Sequence, residues 1–119
     1  MKTEKINIGF AQLDMMILEA FTALNEKGYN ADRVCSFRGN YYEGCKDLPM
    51  DFIVFKDIVR LPSVPFGFEL THVEDKGYSA LFHRYEDNLS CRQVLNRKVK
   101  VVAALLFWVL YLPFNDKAR

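Results

Sequence analysis

The chain has 119 residues, of which 50% are hydrophobic and 14% aromatic, and its formal net charge is +1. This excludes a disordered chain, and the length suits one globular domain, residues 1–119, burying about two thirds of its unfolded surface without staples. The even charge hides an asymmetry: residues 1–91 carry ten Lys+Arg against fourteen Asp+Glu, whereas residues 92–119 carry six against one. The two parts then attract each other across the fold, and a pI near 7.7 makes a nucleic-acid surface the weaker reading.

Cys35, Cys45 and Cys91 are an odd number without close pairing, and the opening Met-Lys-Thr-Glu-Lys lacks the apolar core of a signal peptide. Free thiols in a reducing cytoplasm are therefore expected.

Taken in order, Ile6, Ile8 and Phe10 alternate with Asn7 and Gly9, which permits a short first strand. From Ala11 to Lys27, the residues Leu13, Ile17, Ala20, Phe21 and Leu24 recur at three and four, the stripe of an amphipathic helix stopped by Gly28. Met15, Met16 and Leu18 widen that stripe, suggesting a helix covered on more than one side or a partner-facing methionine patch. Arg33–Phe37 reads as a strand, and Gly39-Asn40 as a hairpin turn that leaves one of Tyr41 and Tyr42 exposed. Glu43–Asp51 has loop composition, and Phe52–Phe55 is a short apolar burst of the kind that forms a buried strand.

The clearest β signal runs from Phe66 to Glu86, with Glu74-Asp75-Lys76-Gly77 as its tight connection. Setting Val73 opposite Tyr78 puts Leu70 against Leu81 and Phe68 against His83. The core face then holds Phe66, Phe68, Leu70, His72, Ser79, Leu81, His83 and Tyr85.

Ser90 with Gln93 forms a capping box for a last helix, which ends at Pro113. Its first half alternates Val94, Leu95 and Val99 with Arg92, Arg97, Lys98 and Lys100, as a half-exposed helix should. Its second half, Val101–Phe114, has no charge and no polar face, so it is expected to be shielded on nearly all sides: a core helix, a buried oligomer contact or a membrane contact. At 14 residues that run is shorter than the ~20 a spanning helix needs. The whole pattern predicts an α+β domain, a mostly antiparallel sheet of about four or five strands covered by an N-terminal and a C-terminal helix.

Chemistry-bearing residues are few. Cys35, Cys45, His72 and His83 are zinc-ligand types, but their spacing fits no structural-zinc pattern, and no metal is expected. Cys91 in the first turn of the last helix, with His83 eight residues earlier, offers the parts of a small thiol enzyme without a local signature. Glycine-rich phosphate loops and the common hydrolase and metalloprotease motifs are absent, so no cofactor is expected. Arg92, Arg97, Lys98 and Lys100 form a basic cluster suited to phosphates or to lipid head groups, the latter with Trp108 and Tyr111 at an interface.

A chain without a catalytic motif points to work by contact. The expectation is a non-enzymatic protein-binding module, a small regulator, inhibitor or immunity-type protein, monomeric or homodimeric, that engages a larger partner through Arg38, Asn40, Tyr41 and Tyr42. A thiol enzyme and a membrane-associated accessory protein using residues 101–114 are the alternatives.

Overall fold

A computed structural model describes residues 9–37 and 49–115. Helix α1 (Phe10–Glu26) leads to β1 (Ala31–Cys35), β2 (Met50–Phe55), β3 (Glu69–Val73) and β4 (Tyr78–Arg84), and helix α2 (Cys91–Tyr111) closes the order. The strands form one sheet in the order β1-β2-β4-β3, and every neighbouring pair is antiparallel. The α+β architecture with a helix at either end of the strands is the one expected.

Helix α1 starts at Phe10, so that residue belongs to the helix and not to a first strand; residues 1–8 lie outside the described part. The first turn is closed by Gln12, whose side-chain oxygen accepts the Gly9 N–H at 3.0 Å. The helix ends as Gly28 predicts. Its φ is +86°, the Gly28 N–H donates to Asn25 O, and the Tyr29 N–H reaches back to Leu24 O, both at 3.0 Å. This 6→1 and 5→2 pair requires a left-handed residue, which only glycine supplies cheaply. Tyr29, now fixed, buries its ring in the core and donates its hydroxyl to Pro113 O beyond the end of α2.

The hairpin register is the expected one. Val73 pairs with Tyr78, His72 with Ser79, and Leu70 with Leu81, and Gly77 sits at φ +73° in the turn. Ser79, Leu81, His83, Tyr85 and Phe68 face the core as expected. Two residues depart: Phe66 is 80% exposed, and His72 is exposed with its ring nitrogen 2.9 Å from Val59 O. Phe66 lies in the turn before β3, outside the sheet, and His72 lies on β3, an edge strand. Elsewhere β1 begins and ends two residues before the expected span, and β2 takes in Met50 and Asp51 from the expected loop.

One hydrophobic cluster joins both helices to a single face of the sheet. Leu13, Ile17, Ala20 and Leu24 of α1 meet Val101, Val102, Leu105 and Val109 of α2 over Val34, Ile53, Phe55 and Leu81. Asp14 pairs with Lys98 at one end of the helix layer, and Lys27 meets the last carbonyls of α2 at the other, so the helices run in the same direction. The opposite sheet face stays half-buried, with Phe52 paired to Phe82 and Val54 to Ala80.

Candidate contact face and a buried charge cluster

Helix α2 is 21 residues long and carries two seams. The inner seam is Val94, Lys98, Val101, Leu105 and Val109, all buried. On the opposite side of the helix, each residue one or two positions after its inner counterpart, is the outer seam Asn96, Lys100, Ala103, Phe107 and Leu110, all exposed and spaced four, three, four, three. The expectation that residues 101–114 are shielded on nearly all sides is therefore corrected. Among the described residues only one side of the run is covered, because a single sheet and one neighbouring helix cannot surround α2.

The uncovered side is apolar. Phe107 is 65% exposed, Leu110 68%, Tyr111 71% and Phe114 55%, and the turn before β3 adds Val64 at 43% beside Phe66. The rings of Phe107 and Tyr111 lie 5.0 Å apart. Between α2 and the turn runs a groove of about 430 Å³, lined by Val64, Pro65, Phe66, Phe107, Trp108 and Tyr111 among others. Trp108 fixes the groove wall by donating its indole N–H to Ser63 Oγ at 2.9 Å. Four aromatic rings, each worth about 150–250 Å² when bare, plus Leu110 and Val64 put on the order of 700 Å² of apolar surface here, above the ~300–600 Å² of the largest patch on a typical monomer. No helix among the described residues is long and apolar enough to cross a membrane.

The far end of the helix layer shows the reverse arrangement. Lys98, expected on a solvated basic face, has no exposed surface at all. Its ammonium donates to Ser36 Oγ, to Phe37 O at 2.6 Å and to Asp51 Oδ1 at 3.0 Å, so all three protons are used. Asp14 Oδ1 lies 3.7 Å from the same nitrogen and accepts the Ser36 hydroxyl proton. Asp51 also accepts the Phe37 N–H at 2.8 Å and the Tyr85 hydroxyl, and the Phe10 ring sits 5.7 Å from the ammonium. One cation thus faces two carboxylates. Burial pushes the Asp14 carboxyl above the ordinary aspartate value, against the pull of Ser36 and Lys98. Burial, with the Asp51 carboxylate next to it, also raises the Tyr85 phenol, which stays protonated as a donor.

The wheel position of Lys98 was readable: it stands four residues after Val94 and three before Val101, squarely on the inner stripe. Asp14 stands likewise between Leu13 and Ile17. Residue type, taken before position, hid both.

The remaining candidates scatter. Arg38, Asn40, Tyr41 and Tyr42 lie outside the described residues. Of the basic cluster, Arg92 and Lys100 are exposed, and Arg97 reaches Glu86 at 3.4 Å. Cys91 is an exposed thiol at the start of α2, whereas His83 is buried between the rings of Phe68 and Tyr85, its Nδ1 2.8 Å from Gly67 O. His83 Nε2 is buried with no hydrogen-bond partner, so it makes none with Cys91. The expectation of three free thiols is corrected at Cys35, which is disulfide-bonded, and the cytoplasmic inference loses that support. Among the described residues no group of three or more His, Cys, Asp and Glu could hold a metal ion.

A second cleft of about 590 Å³ is lined by Asn25, Tyr29, Asn30, Asp57, Arg60 and Asn115 among others. Its amides are spent on the fold: Asn25 brackets both backbone groups of Ala31, Asn30 donates to Asp57, and Asn115 donates to Gly28 O. No protein-family model matches the sequence, and no similar curated protein or solved structure was found.

Proposed function

We propose that this chain is a non-enzymatic protein-binding module, a small regulator or inhibitor that acts by contact with a larger partner. The observation that carries the reading is the exposed aromatic side of α2 with Phe66 beside it. That surface is costly to leave in water at about 25 cal/mol per Å², and it is organised as a groove with a fixed wall, not scattered. The outer seam repeats at four and three, the spacing that receives the side chains of a second helix, so the partner presents the apolar side of a helix. The half-buried outer sheet face is a poorer candidate, since Phe52 and Phe82 already cover each other as a cross-strand pair. Arg38, Asn40, Tyr41 and Tyr42 remain a proposed second contact for the same partner. The buried Lys98 cluster supports no catalytic reading, because a substrate would have to open the core to reach it.

A photo-reactive phenylalanine analogue in place of Leu110, expressed in the native host, tests this. One discrete adduct heavier than two chains is expected, lost when Phe107→Asp is added. Equal adducts from Leu110 and from Thr71 on the outer sheet face would contradict it.

A further inference from the structure

We infer that the resting occupant of the outer seam is the α2 helix of a second copy of this chain, packed antiparallel about a twofold axis close to Phe107. This rests on reading that side of α2 as a contact face, and it adds what sits there when no larger partner is present.

Area is the first argument. A standard interface takes about 800 Å² from each partner, and the apolar patch alone supplies most of that. In a twofold pairing each copy uses the same patch, so neither needs a complementary surface elsewhere on the molecule. Phe107 stands near the middle of the exposed stretch that begins at Asn96 and runs past the end of α2 to Phe114, where a self-pairing seam places its axis.

Charge along the seam sets the direction. Its first half carries Arg92 and Lys100, both exposed; its second half, Ala103 to Phe114, has no charged residue of its own, and the Lys27 ammonium 5.8 Å from the Phe114 ring is tied to the last carbonyls of α2. Parallel copies would stack Lys100 on Lys100 with no carboxylate on the seam to offset them. Antiparallel copies about an axis at Phe107 keep the two lysines apart and set Lys100 of each helix across from Phe114 of the other, and a lysine ammonium over an aromatic ring is attractive by about 0.5–1 kcal/mol at exposed sites. The groove between α2 and the turn at Val64–Phe66 then receives side chains from the second helix at the flank of the seam. The chain's overall charge of +1 is too small to oppose the pairing.

The test is sedimentation equilibrium on the full chain without detergent, over a wide concentration range, for the native sequence and for Leu110→Asp. The native chain should reach twice its 13.9 kDa mass. Leu110→Asp should weaken association at least about a hundredfold, since it buries an unpaired carboxylate, while its circular dichroism stays unchanged and its Tm equals that of the native chain at dilutions where both are monomers. Direction is read separately by disulfide trapping. Phe107→Cys should cross-link the two copies and Asn96→Cys should not, with the native chain as the control for its own cysteines. A monomer at every concentration overturns the inference and leaves the larger-partner reading to the photo-cross-link at position 110. A dimer indifferent to Leu110→Asp, or one trapped through position 96 and not 107, overturns it as well.

Discussion

The two ends of α2 invert the usual distribution of residues. Near its start a lysine is completely buried, and toward its end phenylalanine, leucine and tyrosine stand in water. Lys98 is inside because three acceptors converge on its ammonium and two carboxylates surround it. The aromatic residues are outside because the described fold has one helix layer on one sheet face, and none of the described residues covers the other side of α2. Burial of a charge follows from what partners are supplied, and exposure of an apolar side chain follows from what cover is missing. Neither follows from residue type.

Substitutions at the two ends should therefore behave oppositely. Lys98→Ala leaves Asp14 and Asp51 in the core without their cation, and should cost about 3–5 kcal/mol in urea denaturation, enough to unfold a marginal domain. A loss below about 1 kcal/mol would mean that water reaches the cluster. Leu110→Asp on the outer seam removes no buried contact within the chain, and its monomer should keep its stability to within about 0.5 kcal/mol.

Asp14→Asn gives a smaller and subtler effect. The native carboxyl is raised above its unfolded value by burial. The folded state therefore holds a proton that the unfolded state has released, between the ordinary aspartate value and the raised one. Its contribution to stability is complete below the unfolded value and declines as pH rises through the folded one. The stability of the native chain relative to Asp14→Asn should accordingly fall as pH climbs out of the acid range and then level off. Asparagine keeps an oxygen to accept the Ser36 hydroxyl, and Asp51 still balances Lys98, so the offset at neutral pH should stay near 1 kcal/mol. A relative stability that rises with pH would show that Asp14 is held ionised.

Features written in local backbone chemistry were legible in the sequence. The Ser90–Gln93 box is made in both directions, with Gln93 N–H to Ser90 Oγ at 3.2 Å and Ser90 N–H to Gln93 Oε1 at 2.8 Å. Gly28 and Gly77 take the positive φ that their turns require, and the hairpin register follows from the second of them. Features that depend on several distant segments were not legible. Asp51 looks like the end of a charged loop until Lys98, Tyr85 and the Phe37 N–H are brought to it from 34 to 47 residues away and 14 residues before it. Lys27 looks like an ordinary surface lysine at a helix end. In the fold its ammonium donates to Val109 O at 2.8 Å and Leu110 O at 3.1 Å, placing a positive charge on the negative end of α2. The uncovered side of α2 was missed for a related reason: composition shows that a run is apolar, but only the number of layers shows how much of it can be covered.

The central claim is that α2 has one seam sealed by its own chain and one left for another. Hydroxyl-radical footprinting read by mass spectrometry, at protein concentrations well below and well above the association midpoint, tests it most directly. In the dilute sample Phe107, Leu110, Tyr111 and Phe114 should oxidise readily while Val101, Val102 and Leu105 do not, and concentration should protect the first set alone. An outer seam that stays unlabelled when dilute, or Leu105 labelled as strongly as Leu110, would contradict the account.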